Sequence, residues 1–461
     1  MLTYGGNDAK SILVTAGMKG AVMIAKLRLL TCTAVLAAST LPAFALDVAV
    51  VKPGLVAEID ADYPHLEALY KDIHAHPELG LLETRTAATL AAEMRALGFT
   101  VTDGVGKTGI VAVYKNGPGP TVLVRTELDG LPMQEKTGLP YASQARQQWN
   151  GRETFVDHSC GHDIHMALWV GAAKALLGMR DKWGGTLMFV GQPAEELVSG
   201  ARAMLADGLF TRFGKPDYAL AIHDGPEPTG DVYYRYGAGS TNSDRLSITF
   251  TGRGGHGAHP ETTIDPVVMA SRFVEDVQTV ISREKDPAAF GVVTVGGISS
   301  GSAGNIIPDT AQLEGTIRTT DDSARAKIHD GIRRTANGVA AIAGAPPPQV
   351  TITPGGPALM NDKAVVDRMV PVLDQAFGSH SHEAPTFIYA SEDFSEFLRA
   401  GVPGTMVTIG ATGAAILATA KAKGEDPPGN HSPYFAPDPE PTIKTGVTAM
   451  TLMVMNLMPK G

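Results

Sequence analysis

HSCGHDIHMALWVGAAKALLGM at residues 158–179, followed after a short turn by TLMFVG at 186–191, decides how the remaining chain is read. From His165 to Met179 the segment reads as a strong helix. TLMFVG is a continuous apolar run of the length of a buried strand. Upstream, helices are predicted over 58–77 and 83–97. In the second, TRTAATLAAEMRALGF repeats its apolar residues at helical spacing, and Gly98 is placed to stop it. Strand-like runs GIVAVY (109–114) and TVLVRTEL (121–128) come next, separated by a Gly/Pro turn. Helix and strand alternate, which predicts a layered α/β fold.

Near residue 243 the pattern changes. RLSITFTGR (245–253) alternates apolar and polar residues, as a half-exposed antiparallel strand does. A helix over 264–284, strands at 290–298 and 312–319, a helix at 323–342 and a strand at 348–353 follow. That strand-helix-strand-strand-helix-strand order is the ferredoxin-like plait, with GAPPPQ (344–349) as a turn within it. After PGGPALMND (354–362) the α/β pattern resumes. The expected organisation is therefore one α/β domain, residues 46–242 and 355–461, interrupted by a small α+β domain at 243–354.

At 461 residues the chain exceeds one ordinary core, and its 44% hydrophobic and 19% charged content is that of a globular protein. The formal net charge is −10. Of 38 Lys/Arg and 48 Asp/Glu, four and one fall within residues 1–45, leaving 34 against 47 in the remainder, a net of −13. This balance argues against nucleic acid and anionic membrane surfaces as partners. Residues 1–45 read as an N-terminal extension and a secretory signal peptide. Lys26 and Arg28 precede the apolar LLTCTAVLAASTLPAFA, and Ala43-Phe44-Ala45 fits a small-x-small cleavage site. The expectation is an exported protein, periplasmic or secreted, without a stable membrane anchor after cleavage, whose translation starts at Met18 or Met23. Cys32 would leave with the signal. The remaining Cys160 then has no internal disulfide partner, so it is a buried small hydrophobe or is held by something such as a metal.

HSCGHDIH (158–165) gathers three His, one Cys and one Asp within eight residues, at the start of a predicted helix. Thiolate and imidazole together suit Zn²⁺-like ions, and Asp163 is suited to fix a histidine tautomer behind them. Glu195-Glu196 in GQPAEELVSG follows the buried strand 186–191, at the strand end where α/β folds build sites. Of two neighbouring carboxylates, one can bind metal while the other takes a proton from water. His223 ends the apolar run DYALAIHDGP (217–226), and His431 stands in the Gly/Pro-bounded GNHSPYFAP. Cys160, His162, Glu196, His223 and His431 make five candidate ligands, more than one tetrahedral ion needs, so two divalent metal ions are implied.

HPELG (76–80), RTELDGLP (125–132), CGHD (160–163), the EE pair, GRGGHGAHP (252–260), NIIPD (305–309), EGTIRT (314–319), SEDF (391–394) and the late His431 occur in this order along the chain. In these motifs the sequence resembles the metallo-amidohydrolases typified by hippurate hydrolase and plant indole-acetyl-amino-acid hydrolases, within the aminoacylase and carboxypeptidase G group. The resemblance implies a split zinc-peptidase-like α/β catalytic domain with an inserted ferredoxin-like lid or dimerisation domain, and hence a homodimer through that insert. It implies Cys160, His162, Glu196, His223 and His431 as ligands of two Zn²⁺ or Mn²⁺ ions, with Glu195 as general base. It further implies that His256, Asn305 and Arg318 hold the substrate carboxylate or the oxyanion. The Gly-rich setting of His256 allows close approach to a ligand. Asp129 and Asp393 resemble residues that support the ligands from behind. Two features depart from the pattern: Glu127 stands where aspartate is usual, and QARQQWNGRETFVD (144–157) is longer than usual.

The reaction this implies is hydrolysis of an N-acyl amino acid by activated water and Glu195. A metallo-dipeptidase or carboxypeptidase acting on short peptides shares the chemistry and differs in what lies on the acyl side. A metal- or substrate-binding protein that has lost catalysis is a third reading, and the intact EE pair speaks against it.

Overall fold

The computed structural model describes residues 46–460. The expected signal peptide, its cleavage site and both alternative start codons lie outside these residues.

Alternation along the central strands creates two apolar faces on one sheet. Val122 and Val124 point to one core and Leu123 to the other; Leu187 and Phe189 oppose Met188 and Val190 in the same way. The sheet has eight strands in the order Thr100–Val105, Gly109–Asn116, Gly185–Gln192, Thr121–Glu127, Tyr218–Pro228, Gly404–Thr412, Val232–Tyr234 and Ser381–Glu383. The four from Gly185–Gln192 to Gly404–Thr412 run parallel, with an antiparallel pair on one side. Strands covered on both faces read as near-continuous apolar runs, which is why TVLV and TLMFV carry no polar face.

The larger core lies between the sheet and the helices Val48–Ala75, His162–Gly178, Lys363–Phe377 and Pro439–Leu457. His162–Gly178 is buried on nearly every side, as its uniform apolarity predicts. The first helix begins at Val48 rather than at 58. Asp47 caps it by accepting from Val50 N–H at 3.3 Å, and Val48, Val51 and Leu55 are buried in the core. This packing overrides the poor helix propensity of Pro53 and Gly54. The strand Thr100–Val105 was not expected; it is a largely exposed edge with a weak apolar pattern.

A second, antiparallel sheet is built from Gly291–Ser300, Thr310–Thr319, Asp244–Thr251 and Gln349–Thr353, in that order. In sequence numbering the strands lie 2-3-1-4, the order of the ferredoxin-like plait. Leu246, Ile248 and Phe250 face a separate core shared with Phe273, Ile328 and Ile332 of the helices Pro266–Thr279 and Asp322–Ile342. Asp265 and Asp321 cap those helices through Val267 N–H and Ala324 N–H, both at 2.8 Å. Among the described residues no helix is long and apolar enough to cross a membrane.

Candidate metal centre and its surroundings

The parallel strands end at one edge of the large sheet, where open α/β sheets place their sites. They deliver Glu127, Gln192, His223 and Asp224 there, and the turn into the helix His162–Gly178 adds Cys160 and His162. Gly161 in that turn has φ 82°, and a Cβ on it would collide with the Asp224 carboxylate, so glycine alone permits the approach.

All five residues expected as ligands come together. Cys160 Sγ lies 3.6 Å from His223 Nε2, and His431 Nε2 lies 3.4 Å from Glu196 Oε1. His162 Nε2 is 3.9 Å from both Glu195 Oε2 and Glu196 Oε1. Donor atoms of Cys160, Glu196 and His431 all fall within 4.8 Å of one another, as do those of His162, Glu195 and Glu196. The imidazoles are oriented from behind: His162 Nδ1 donates to the Asp129 carbonyl at 2.7 Å, and His223 Nδ1 to the Asp224 carbonyl at 2.6 Å. Both Nε2 atoms therefore present lone pairs to the cluster. His162 Nε2 and Glu196 Oε1 are buried without a hydrogen-bond partner.

Burial pushes His162 down to about 3, so its ring is neutral and able to coordinate. Burial, then the charges of Glu196, Glu195 and Asp224, pushes the Cys160 thiol well up. A thiolate there needs a cation beside it. Burial, then Glu392, Glu196 and Asp393, likewise raises Glu195, a carboxylate suited to take up a proton. Imidazoles, a thiol and carboxylates, with two of their donor atoms buried and without partners, make a set that fits borderline divalent cations.

The supporting aspartates divide the work differently from expectation. Asp129 accepts Glu195 N–H and Glu196 N–H on its two oxygens, both at 3.0 Å, besides holding His162 through its carbonyl. Asp393 accepts Ala201 N–H at 2.9 Å and bonds the Gln192 side chain, beside Glu195. Asp163 fixes a histidine, but not one of the ligands. Its Oδ2 lies 2.6 Å from His74 Nδ1, while Glu135 Oε1 is 3.1 Å from His74 Nε2. These bonds outweigh burial and raise His74 to about 10. The helix turn at 162–165 aims Asp163 at the first helix, away from the site.

His256, Asn305 and Arg318 are not joined to this cluster by any hydrogen bond or ion pair among the described residues. His256 is exposed on the two-residue strand Gly255–His256, which pairs with Ile306–Ile307, and its Nδ1 accepts Ala258 N–H at 3.0 Å. The Asn305 carbonyl accepts Gly257 N–H at 2.8 Å, so both residues sit on one ribbon. Arg318, half-buried in the second sheet, leaves Nη1 without a partner. The long segment 144–157 forms a hairpin of Arg146–Trp149 with Arg152–Phe155, tied to the HPELG loop by Gln147 Oε1, which accepts Leu79 N–H at 2.6 Å.

Sequence reasoning missed Arg125 and Glu392, which stand with Asp393 behind Glu195. Arg125 is fully buried, bonded to Glu127, to Glu392 Oε1 at 2.6 Å and to Gln192 Oε1 at 3.0 Å, with Asp393 Oδ1 at 3.4 Å. Glu127, the departure noted above, also accepts from His165 Nδ1 at 3.0 Å, and Asp224 N–H donates to His165 Nε2 at 2.8 Å. The available signal was Arg125 and Glu127 two apart in an apolar strand, which places them on one face.

The sequence profile of peptidase family M20/M25/M40 matches residues 123–456. The chain is 36% identical to a hippurate hydrolase of Campylobacter jejuni over 350 residues, 74% of this chain and 87% of that one. It is 31% identical to an N-acetylcysteine deacetylase of Bacillus subtilis over 358 residues, 77% and 90% of the two chains. It is also 31% identical to a thermostable carboxypeptidase of Saccharolobus solfataricus over 415 residues, 88% and 100%. Among solved structures, a Bacillus subtilis protein described as a dinuclear metal binding peptidase from the M20 family matches with a TM-score of 0.71 at 27% identity, covering 86% of this chain and 99% of that one. The chain belongs to peptidase family M20/M25/M40.

Proposed function

We propose that the protein is a metal-dependent amidohydrolase that cleaves the amide bond of N-acyl amino acids. The observation that carries this reading is the buried, unpartnered pair His162 Nε2 and Glu196 Oε1, with the raised carboxyl of Glu195 at 3.9 Å from the same imidazole. Cys160, His162, Glu196, His223 and His431 are the residues that would hold two divalent ions, and a Cys160 thiolate would favour Zn²⁺ over Mn²⁺. When bound, these ions supply Lewis acidity and a water acidic enough to react near neutral pH. Glu195 takes the proton from the attacking water and returns it to the leaving amine. Arg318 on the second sheet, and His256 and Asn305 on the separate two-stranded ribbon, are the groups that offer donors to a substrate carboxylate or an oxyanion.

Self-association through the second sheet fits its exposed side: Gly291–Ser300 is an edge strand paired on one side only, and Val292 and Ile298 stand exposed on it. The sequence of residues 1–45 supports export. Similarity to hippurate hydrolase and N-acetylcysteine deacetylase favours small acyl groups, whereas similarity to the thermostable carboxypeptidase favours peptides. A panel of N-acetyl amino acids, N-benzoyl amino acids and dipeptides, given to fully metallated protein, separates these readings. Release of free amino acid from N-acyl substrates faster than from dipeptides is expected. The reverse order would assign a peptidase, and no hydrolysis of any amide would overturn the proposal.

A further inference from the structure

The loop that presents Glu195 and Glu196 is bent in a way its residues do not favour. Ala194 and Val198, on either side of the pair, both have φ 50°, in the left-handed region that β-branched valine in particular avoids. Such a shape persists only where the surroundings impose it. Here three successive amides are taken by carboxylates from elsewhere in the chain. Asp129 holds Glu195 N–H and Glu196 N–H, and Glu83 Oε1 accepts Ala194 N–H at 2.8 Å.

Glu83 is an unexpected acceptor for that amide. It is the residue before the helix Thr84–Ala96, where an acidic side chain ordinarily caps its own helix, yet it makes no capping bond. Glu78 of HPELG does that work instead, accepting Thr86 N–H at 2.8 Å and Arg85 N–H at 3.2 Å. Glu83 turns inward, is 0% exposed, and fills its other oxygen with Thr108 Oγ1–H at 2.5 Å. Among the described residues no cation pairs with it. A carboxylate buried at this cost, and not spent on its own helix, has the Ala194 amide as its principal reach into the site.

We propose that Glu83, locked by Thr108, is a positioning residue for the reaction: it fixes the Ala194 amide and so sets where the Glu195 carboxylate stands. This rests on the reading of Glu195 as the base, and it assigns Glu83 no contact with substrate. Glu83→Ala is expected to lower kcat by about 10²-fold, the scale of a 1 Å misplacement, while KM and metal per chain stay unchanged. Glu83→Gln keeps an oxygen for Ala194 N–H and a donor for Thr108, and should recover most of that loss. A merely structural role would move KM, metal content and thermal midpoint together, and glutamine would not rescue kcat selectively. If Glu83→Ala does not fold, Thr108→Val decides: a reduced kcat at unchanged KM and metal content supports the proposal, and a wild-type kcat overturns it. Wild-type kcat in Glu83→Ala, equal losses in alanine and glutamine variants, or metal lost in proportion to rate would each overturn it. Glu195→Gln assayed alongside separates the two readings. If that variant stays active the base assignment fails, whatever Glu83 does.

Discussion

Glu195→Gln is expected to lower kcat by about 10²–10⁴-fold, the usual worth of a positioned general base, with metal content unchanged. The amide is isosteric and keeps the loop's backbone bonds to Asp129, so nothing about the ligands should move. What it loses is the ability to take a proton. Burial and the neighbouring carboxylates Glu392, Glu196 and Asp393 hold the Glu195 carboxyl well above its ordinary range, which is what a base that must later return its proton requires. Glu196→Gln offers the contrast: it removes a ligand candidate and should reduce bound metal along with rate. Steady-state kinetics and elemental analysis on both variants check this. A Glu195→Gln enzyme within tenfold of wild type would remove Glu195 from the chemistry.

The second large effect concerns stability. Arg125→Ala is expected to destabilise the fold by about 3–5 kcal/mol, the range for removing one partner of a buried ion pair. The guanidinium is fully buried among Glu127, Glu392 and Asp393, and among the described residues no other cation pairs with all three. Asp393 shows the sign of the pH dependence. Burial raises it, Arg125 opposes, and the result stands at about 7, above its unfolded value of 3.8. Without Arg125 the folded Asp393 carboxyl holds its proton still more tightly. Asp393 is then protonated in both folded proteins below about pH 7, so its share of the defect appears only as pH rises through about 7, where the wild-type carboxyl ionises beside Arg125 and the variant's does not. Denaturant unfolding of both proteins across this range measures it. A loss below about 1 kcal/mol at pH 8, or a defect that shrinks with rising pH, would contradict the account.

Where the sequence spoke through periodicity, the structure agrees. TVLV and TLMFV became central strands, the apolar run after His165 became a buried helix, and RLSITFT became the half-exposed strand Asp244–Thr251. The first helix escaped in part because Pro53 and Gly54 lower local propensity while tertiary packing rescues it. The five converging donors were legible because each stands at the end of an apolar run or in a Gly/Pro-bounded loop. The supporting shell was less so. Asp163 was read with its sequence neighbours, but a helix turns adjacent residues about 100° apart, and it faces His74. Glu83, Arg125 and Glu392 meet the Glu195–Glu196 segment from far along the chain, and no local spacing encodes that meeting. For His256, Asn305 and Arg318 the motifs and their place on the inserted domain were visible; that no bond joins them to the cluster was not.

Metal per chain in the purified protein, measured by elemental analysis and followed through chelation and add-back with hydrolysis of N-acyl amino acids, tests the central claim most directly. About two ions per chain, loss of activity with their removal and recovery on return of Zn²⁺ or Mn²⁺ are predicted from the donor set. Protein that takes up no divalent ion after reconstitution, or that hydrolyses its substrate equally well without one, would contradict the account.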